Sequence, residues 1–383
     1  MISGNALNPS SIGFGLNNSD PSNQSGVRQP RANVMIDGSP VNWINWEVEG
    51  TGGRSDASTF KVMLPIGGQS ASLPLSYFVS AQQIMISILA TPSNSSTAGL
   101  NSSGMDTLIT GEVDHLSYEP DKATITLSGR DLSAKLMDKK TSLKYQNQKA
   151  SDIVSTLAGN AGLTPMVMPT QQKSGKYYQI DHARLTNQTS DWDLLQYLAR
   201  EENMVTYVKG NNLHFEPQGT GPQTPYVVDL TTPGYSTTDP VGQSNAVQIE
   251  LTRNFVIGKG AKVGVHSWNL KGKKKISSTA TAQGNGTPLN FNYTYPNLST
   301  EQAKTRAKSK LHDITQHEFT VNIHMPADNI LMPQIPVQIV GTQSEFDQLY
   351  YVKSVRREMA FNQGYTMHFE AMNQRAKNQV SST

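Results

Sequence analysis

The sequence contains no cysteine, which excludes disulfides, thiolate metal sites, a cysteine nucleophile and thiol redox control. Charge is scarce at 16% of residues, and 32 Lys and Arg against 30 Asp and Glu leave a formal +2. So small a balance sets up no global field toward nucleic acid or an anionic membrane, and any such contact must be local. No apolar run approaches the ~20 residues that cross a bilayer, so there is no transmembrane segment and a membrane encounter would fall to an assembled complex. The first 31 residues are rich in Asn, Ser, Gly and Pro. They lack both a basic start and a continuous apolar stretch, and are expected to form an arm rather than a signal peptide.

Catalytic and metal-binding patterns are equally sparse. The eight histidines are scattered, and His312 and His317 stand five apart, off the i,i+4 spacing that puts two ligands on one helix face. Gly258-Lys-Gly-Ala-Lys-Val-Gly264 loosely resembles a phosphate loop. It lies between two expected strands with no helix to supply a dipole, so a β-turn is the expectation. The carboxylate pairs Asp191/Asp193 and Glu201/Glu202 lie on or beside an amphipathic helix, where a solvated face is the default over acid/base work. No catalytic residue, cofactor or metal ligand is assigned.

What is abundant is turn chemistry, with 30 Gly and 20 Pro in 383 residues. Strand-sized runs occupy Val34 to Ile36, Trp43 to Val48, Thr59 to Leu64, Gln83 to Leu89, Thr107 to Val113 and Ala123 to Ser128. Ile36-Asp-Gly-Ser-Pro40 and Glu119-Pro-Asp121 lie among the turns between them. Leu132, Leu136 and Met137 then adopt helical spacing, and a short helix is expected to close this first β-region. A helix from near Ser151 to Gly162 and a second over Ser190 to Glu202 precede a hairpin turned at Lys209-Gly-Asn-Asn212. The strand pattern resumes from Ala246 and is broken by one helix with a thin apolar stripe of Ala303, Ala307, Leu311 and Ile314.

The expected fold is mainly β with α+β insertions. It divides into an arm over 1–33, a first β-domain over 34–138 whose strand spacing suggests a barrel or sandwich, a small α/β domain over 139–222, and a second β-rich domain over 223–383 with an inserted helix at 299–314. The one sharp charge run is Lys271-Gly-Lys-Lys-Lys275. Lys271, Lys273, Lys274 and Lys275 should mark an exposed hairpin or strand edge. They serve either as protection of that edge or as a contact for a polyanion or an acidic partner.

Four segments carry a family resemblance: Leu127-Ser-Gly-Arg-Asp-Leu132; the run Ser190-Asp-Trp-Asp-Leu-Leu-Gln-Tyr-Leu-Ala-Arg-Glu-Glu202 leading into Thr206 to Phe215; Val265-His-Ser-Trp-Asn269 with its lysines; and the 300–314 helix paired with Tyr350 to Val355 and Gly364 to Glu370. In this order they resemble the phage late control D family, the hub proteins of contractile tails, related to the hub module of type VI secretion spike proteins. The resemblance implies two tail-tube-like barrels per chain and a homotrimeric ring of pseudo-sixfold symmetry. That ring would adapt the hexameric tail tube protein to the threefold central spike protein. Implied further partners are other baseplate proteins, the tape measure protein and, transiently, DNA in the lumen, in a virion assembled in the host cytoplasm.

The unit at 139–222 is similar to the LysM-like domains of such hubs, which raises peptidoglycan binding through Tyr145, Tyr177 and Tyr178. A wall-degrading enzyme is the alternative from another class and would need a carboxylic acid of raised pKa facing a second carboxylate. A free carbohydrate-binding β-protein is a third, distinguished by monomeric behaviour.

Overall fold

A computed structural model describes residues 30–51, 57–92, 105–141, 145, 148–171, 173–174, 189–202, 204–217, 225–231, 243–244, 246–269, 273–284, 286–315, 318–373 and 378–382. The arm lies outside them except at its end, where Arg31 to Asn33 already belong to the first strand. The first β-region comprises β1 (Arg31–Ile36), β2 (Ser39–Val41), β3 (Asn45–Thr51), β4 (Thr59–Pro65), helix α1 (Leu75–Ser80), β5 (Met85–Thr91), β6 (Asp106–Glu119) and β7 (Thr124–Asp131). Period-two alternation orients these strands: Phe60, Val62 and Leu64 of β4 are buried while Thr59 and Lys61 are exposed. The β1–β2 turn is Asp37-Gly38, both at positive φ (47° and 83°), the two-residue geometry that matches strand twist.

A small α/β unit follows, with α2 (Ala134–Met137), β8 (Lys140–Thr141), β9 (Gln148–Lys149), α3 (Ala150–Asn160), β10 (Thr164–Val167), β11 (Lys173–Ser174), β12 (Thr189–Ser190), α4 (Asp191–Glu202), β13 (Met204–Lys209) and β14 (Asn212–Pro217). Its core gathers Leu157, Trp192, Leu195, Leu198 and Phe215. Leu132 and Leu136 join this core, so the short helix expected to close the first β-region instead helps build the second unit. Helix α3 begins at Ala150, one residue before the expected cap, and Ser151 is buried in its first turn, where its N–H donates to Thr170 Oγ1 at 3.2 Å. Gly162, at φ +73°, takes the left-handed position just past the helix.

On the β13–β14 hairpin the rings of Tyr207 and His214 stack with centroids 4.6 Å apart. Burial of His214 is the main cause that lowers its imidazole pKa; Glu216 opposes the shift and Lys209 adds to it. A lowered pKa means the native state resists protonation. Stability is therefore full above ~6.5 and declines as pH falls through that value toward the lowered one. In urea unfolding at pH 7.5 and 5.5, the midpoint should drop on acidification, and His214→Phe should show a smaller drop. Equal drops would contradict this assignment.

The remaining elements are β15 (Tyr226–Thr231), β16 (Gln243–Ser244), β17 (Gln248–Arg253), α5 (Phe255–Gly258), β18 (Ala261–Asn269), β19 (Lys274–Ala282), β20 (Leu289–Pro296), α6 (Thr300–Thr315), β21 (Phe319–Pro326), β22 (Pro336–Val340), β23 (Leu349–Ala360), β24 (Gly364–Asn373) and β25 (Asn378–Ser382). The two β-rich regions are not separate sheets. β23 pairs antiparallel with β3, from Ser354 opposite Thr51 to Ala360 opposite Asn45, so one 14-stranded sheet runs through both. A single core holds Trp46, Ile86 and Leu127 together with Tyr226, Val321, Tyr350 and Phe369.

The stretch between β17 and β21 leaves that sheet. β17 and β21 pair with each other, and the chain between them supplies β18, β19 and β20 of a second sheet, ordered β20-β18-β19-β25, whose edge strand β25 comes from the C-terminal end, with α6 laid across one face. The inserted element is thus larger than the helix at 299–314. α6 starts with a capping box, in which Ser299 Oγ accepts from the Gln302 N–H at 3.2 Å and Gln302 Oε1 accepts from the Ser299 N–H at 2.9 Å. Its apolar stripe Ala303, Ala307 and Leu311 is fully buried against Val263, Val265 and Ala280.

Candidate assembly surface

The lysine run falls at the end of the β18–β19 hairpin. Lys273, Lys274 and Lys275 are exposed, and Lys273 holds φ +47°, a turn conformation; Lys271 lies outside the described residues. Trp268 sits directly across from Lys275 and beside Pro296 of the parallel neighbour β20. It is 55% exposed, so the hairpin end combines cations with an open aromatic face. Sequence reasoning found these lysines but gave no role of its own to the tryptophan three positions before the run, whose exposure depends on which way β18 faces.

A second open region lies along the main sheet. Among the described strands, β17 pairs only with β21, so its outer edge presents backbone donors and acceptors. Val247 and Phe255, at either end of this edge, are each 74% exposed. Beside Val247 opens a cleft of about 260 Å³ whose lining includes Pro30, Pro92, Pro326 and Tyr365 as well as Gln363 and Gly364 of the β23–β24 turn. Phe361 in the same turn is 93% exposed. Large apolar side chains are thus grouped around a strand edge that is unpaired among the described strands, unlike an ordinary solvated face.

The groups weighed for chemistry have structural employment. Asp193 forms a capping box with Ser190, accepting from its hydroxyl at 2.7 Å while Ser190 Oγ accepts from the Asp193 N–H at 3.0 Å. Asp191 is buried, with its carboxyl pushed up by that burial and held back by Lys139, 3.9 Å away. Glu201 accepts from Arg306 Nε at 2.8 Å, and Glu202 is raised by burial and then by its neighbour Glu201. No group of three metal-ligating side chains is found among the described residues.

The Gly258 to Gly264 run departs from expectation, because a one-turn helix capped by Asn254 precedes it. Gly258 ends that helix and Gly260 and Gly264 follow it, at the end where carbonyls rather than N–H groups point outward, the wrong polarity for phosphate. Tyr145 is buried in the core of the small unit and offers no ring to a glycan; Tyr177 and Tyr178 lie outside the described residues.

No family model matches the sequence, and no curated protein sequence does. Solved structures do. A tail protein of Neisseria meningitidis superposes with a TM-score of 0.65 at 13% identity over 90% of this chain and 96% of that one. The 43 kDa tail protein of prophage MuSo2 of Shewanella oneidensis gives 0.67 at 13% identity, with 90% and 100% covered. Prophage tail protein gp18 of Listeria monocytogenes gives 0.55 at 9% identity, with 90% and 95% covered. The chain shares its fold with these phage tail proteins over about 90% of its length.

Proposed function

We propose that this protein is a structural component of a phage-type tail, the baseplate hub, and not an enzyme. The observation that carries the proposal is the pairing of a tail-protein fold across 90% of the chain with an open strand edge at β17 fringed by Val247 and Phe255. An exposed strand edge with such an apolar fringe is a hazard on a free chain; covered by a neighbouring subunit it is a seam. The engagement of Asp193 in capping and of Asp191 and Glu201 in ion pairs fits a scaffold rather than a hydrolase, and the burial of Tyr145 removes one of the three tyrosines that peptidoglycan binding would use.

On this proposal the two β-rich regions act as two tube-like barrels joined through β3 and β23, and three chains close into a ring of pseudo-sixfold symmetry. The ring docks the tail tube on one side and the central spike on the other, among other baseplate proteins. Its lumen passes the tape measure protein and then DNA. The small unit at 139–222 decorates the ring as a LysM-like domain, in a virion assembled in the host cytoplasm. Closing a ring takes heterologous contacts of extended complementarity and no reactive group.

Light scattering tests this. The purified chain is expected to have the mass of a trimer, or to be driven into a 3:3 complex by the spike protein of its own tail. Val247→Lys combined with Phe255→Lys should shift that mass toward the monomer without changing the circular dichroism spectrum. A stable monomer indifferent to the spike would overturn the hub assignment.

A further inference from the structure

The near-neutral total conceals a sharp separation of charge. The inserted stretch 255–315 carries ten Lys and Arg against only two carboxylates, Glu301 and Asp313, a net +8. The rest of the chain then holds 22 basic against 28 acidic residues, a net −6. At 0.1 M salt, dissolved ions screen charges over about 10 Å, so the insertion acts locally as a cationic body whatever the chain's sum.

The sheet gives this charge a face. α6 covers one side of β18, β19 and β20, and both carboxylates lie on α6. The opposite side is open, and none of the outward positions on these three strands is acidic. Lys262 and Lys275 stand exposed on it, with Lys273 and Lys274 at its end and Trp268 between them. In its middle Gly264 keeps a dent: a Cβ there would lie 2.6 Å from Asn292 Oδ1 and 3.3 Å from His266 Nε2. His266 is held in place by Ser277, its Nδ1 3.0 Å from Ser277 Oγ. Cations along the face, an exposed indole and oriented polar groups beside it are the components that hold phosphates, stack a base and meet a base edge.

We infer that the open face of the inserted sheet binds single-stranded nucleic acid, with Lys262, Lys273, Lys274 and Lys275 on the phosphates and Trp268 stacked on a base. An acidic protein would satisfy the lysines but leaves the half-exposed indole without a role, which is why nucleic acid is favoured. This goes beyond the hub proposal and does not rest on it, since oligonucleotide affinity and assembly mass are read separately.

The test is fluorescence anisotropy of the full chain with a labelled oligothymidylate of about 20 nucleotides and a duplex of equal length. Four phosphate contacts predict affinity for the single strand about 50-fold weaker at 200 mM than at 50 mM salt. The triple variant K273E/K274E/K275E should bind more than tenfold more weakly and with a flatter salt dependence. Trp268→Ala should lose about tenfold on the single strand and little on the duplex. Lys262→Glu, outside the hairpin end, is expected to weaken binding on its own and serves if the triple variant misfolds. Unchanged affinity in these variants, or a Trp268→Ala variant of full affinity together with equal displacement by polyglutamate, would overturn the inference; the latter would assign the face to an acidic protein.

Discussion

Gly129→Ala is expected to cost about 3 kcal/mol or more, at or beyond the upper end of ordinary overpacking, and so to remove a large part of a typical domain's stability. Gly129 lies in β7 opposite Phe60 of β4. A methyl group there would overlap the carbonyl oxygen of Glu112 on β6 and lie 2.7 Å from Phe60 Cζ. Gly111 is its counterpart: its Cβ would overlap the Arg130 carbonyl oxygen and lie 3.0 Å from Phe60 Cε1. The Phe60 ring therefore covers two glycines on adjacent strands, beside the register shift between Val113 and His115. A ring can rotate, but a carbonyl locked in a ladder cannot. Phe60→Ala should accordingly cost about 3–5 kcal/mol by itself and should fail to rescue Gly129→Ala. Urea midpoints of the two single variants and the double decide this; a Gly129→Ala chain that melts with the parent would mean that β6 and β7 do not approach so closely.

Gly129 stands in Leu127-Ser-Gly-Arg-Asp-Leu132, and the neighbouring residues also have local tasks. Arg130 clamps Asp114 at 2.7 Å and Asp138 at 3.0 Å, while buried Asp131 accepts from the N–H groups of Ser58 and Ser133, each at 3.0 Å. Such motifs, the Asp37-Gly38 and Gly210-Asn211 turns, the amphipathic α4 and the lysine hairpin were legible because each signal is contained in a few residues. The β3–β23 seam was not: the ion pair of Arg356 with Glu47 at 2.6 Å bridges positions at opposite ends of the chain, and nothing local selects that partner. β20 was missed although Phe291, Tyr293 and Tyr295 alternate with Asn292 and Thr294, because Asn is depleted in strands. The cationic insertion was hidden by averaging. Its charge can be counted only after the β17–β21 pairing shows that 255–315 is one unit.

Arg306→Ala should be the second severe variant, since it removes the residue that fastens this insertion to the small α/β unit. Arg306 is 8% exposed, donates to Glu201 from Nε and Nη2, and lies 4.4 Å from the centroid of the Tyr295 ring. Removing one partner of a buried ion pair typically costs 3–5 kcal/mol. Glu201 keeps 29% of its side chain exposed, which places the expected loss near the low end, at about 3 kcal/mol. Glu202 adds to it, because without the guanidinium two adjacent carboxylates are left with less to offset their repulsion. Replacing both partners, Arg306→Leu with Glu201→Leu, should recover most of the loss, because two apolar groups leave no charge stranded. Hydrogen exchange separates this from a general weakening: protection should fall in α4 and α6 while the β3–β23 seam keeps its own. If the double replacement is as unstable as Arg306→Ala, the contribution of Arg306 is its packing on Tyr295 and not the ion pair.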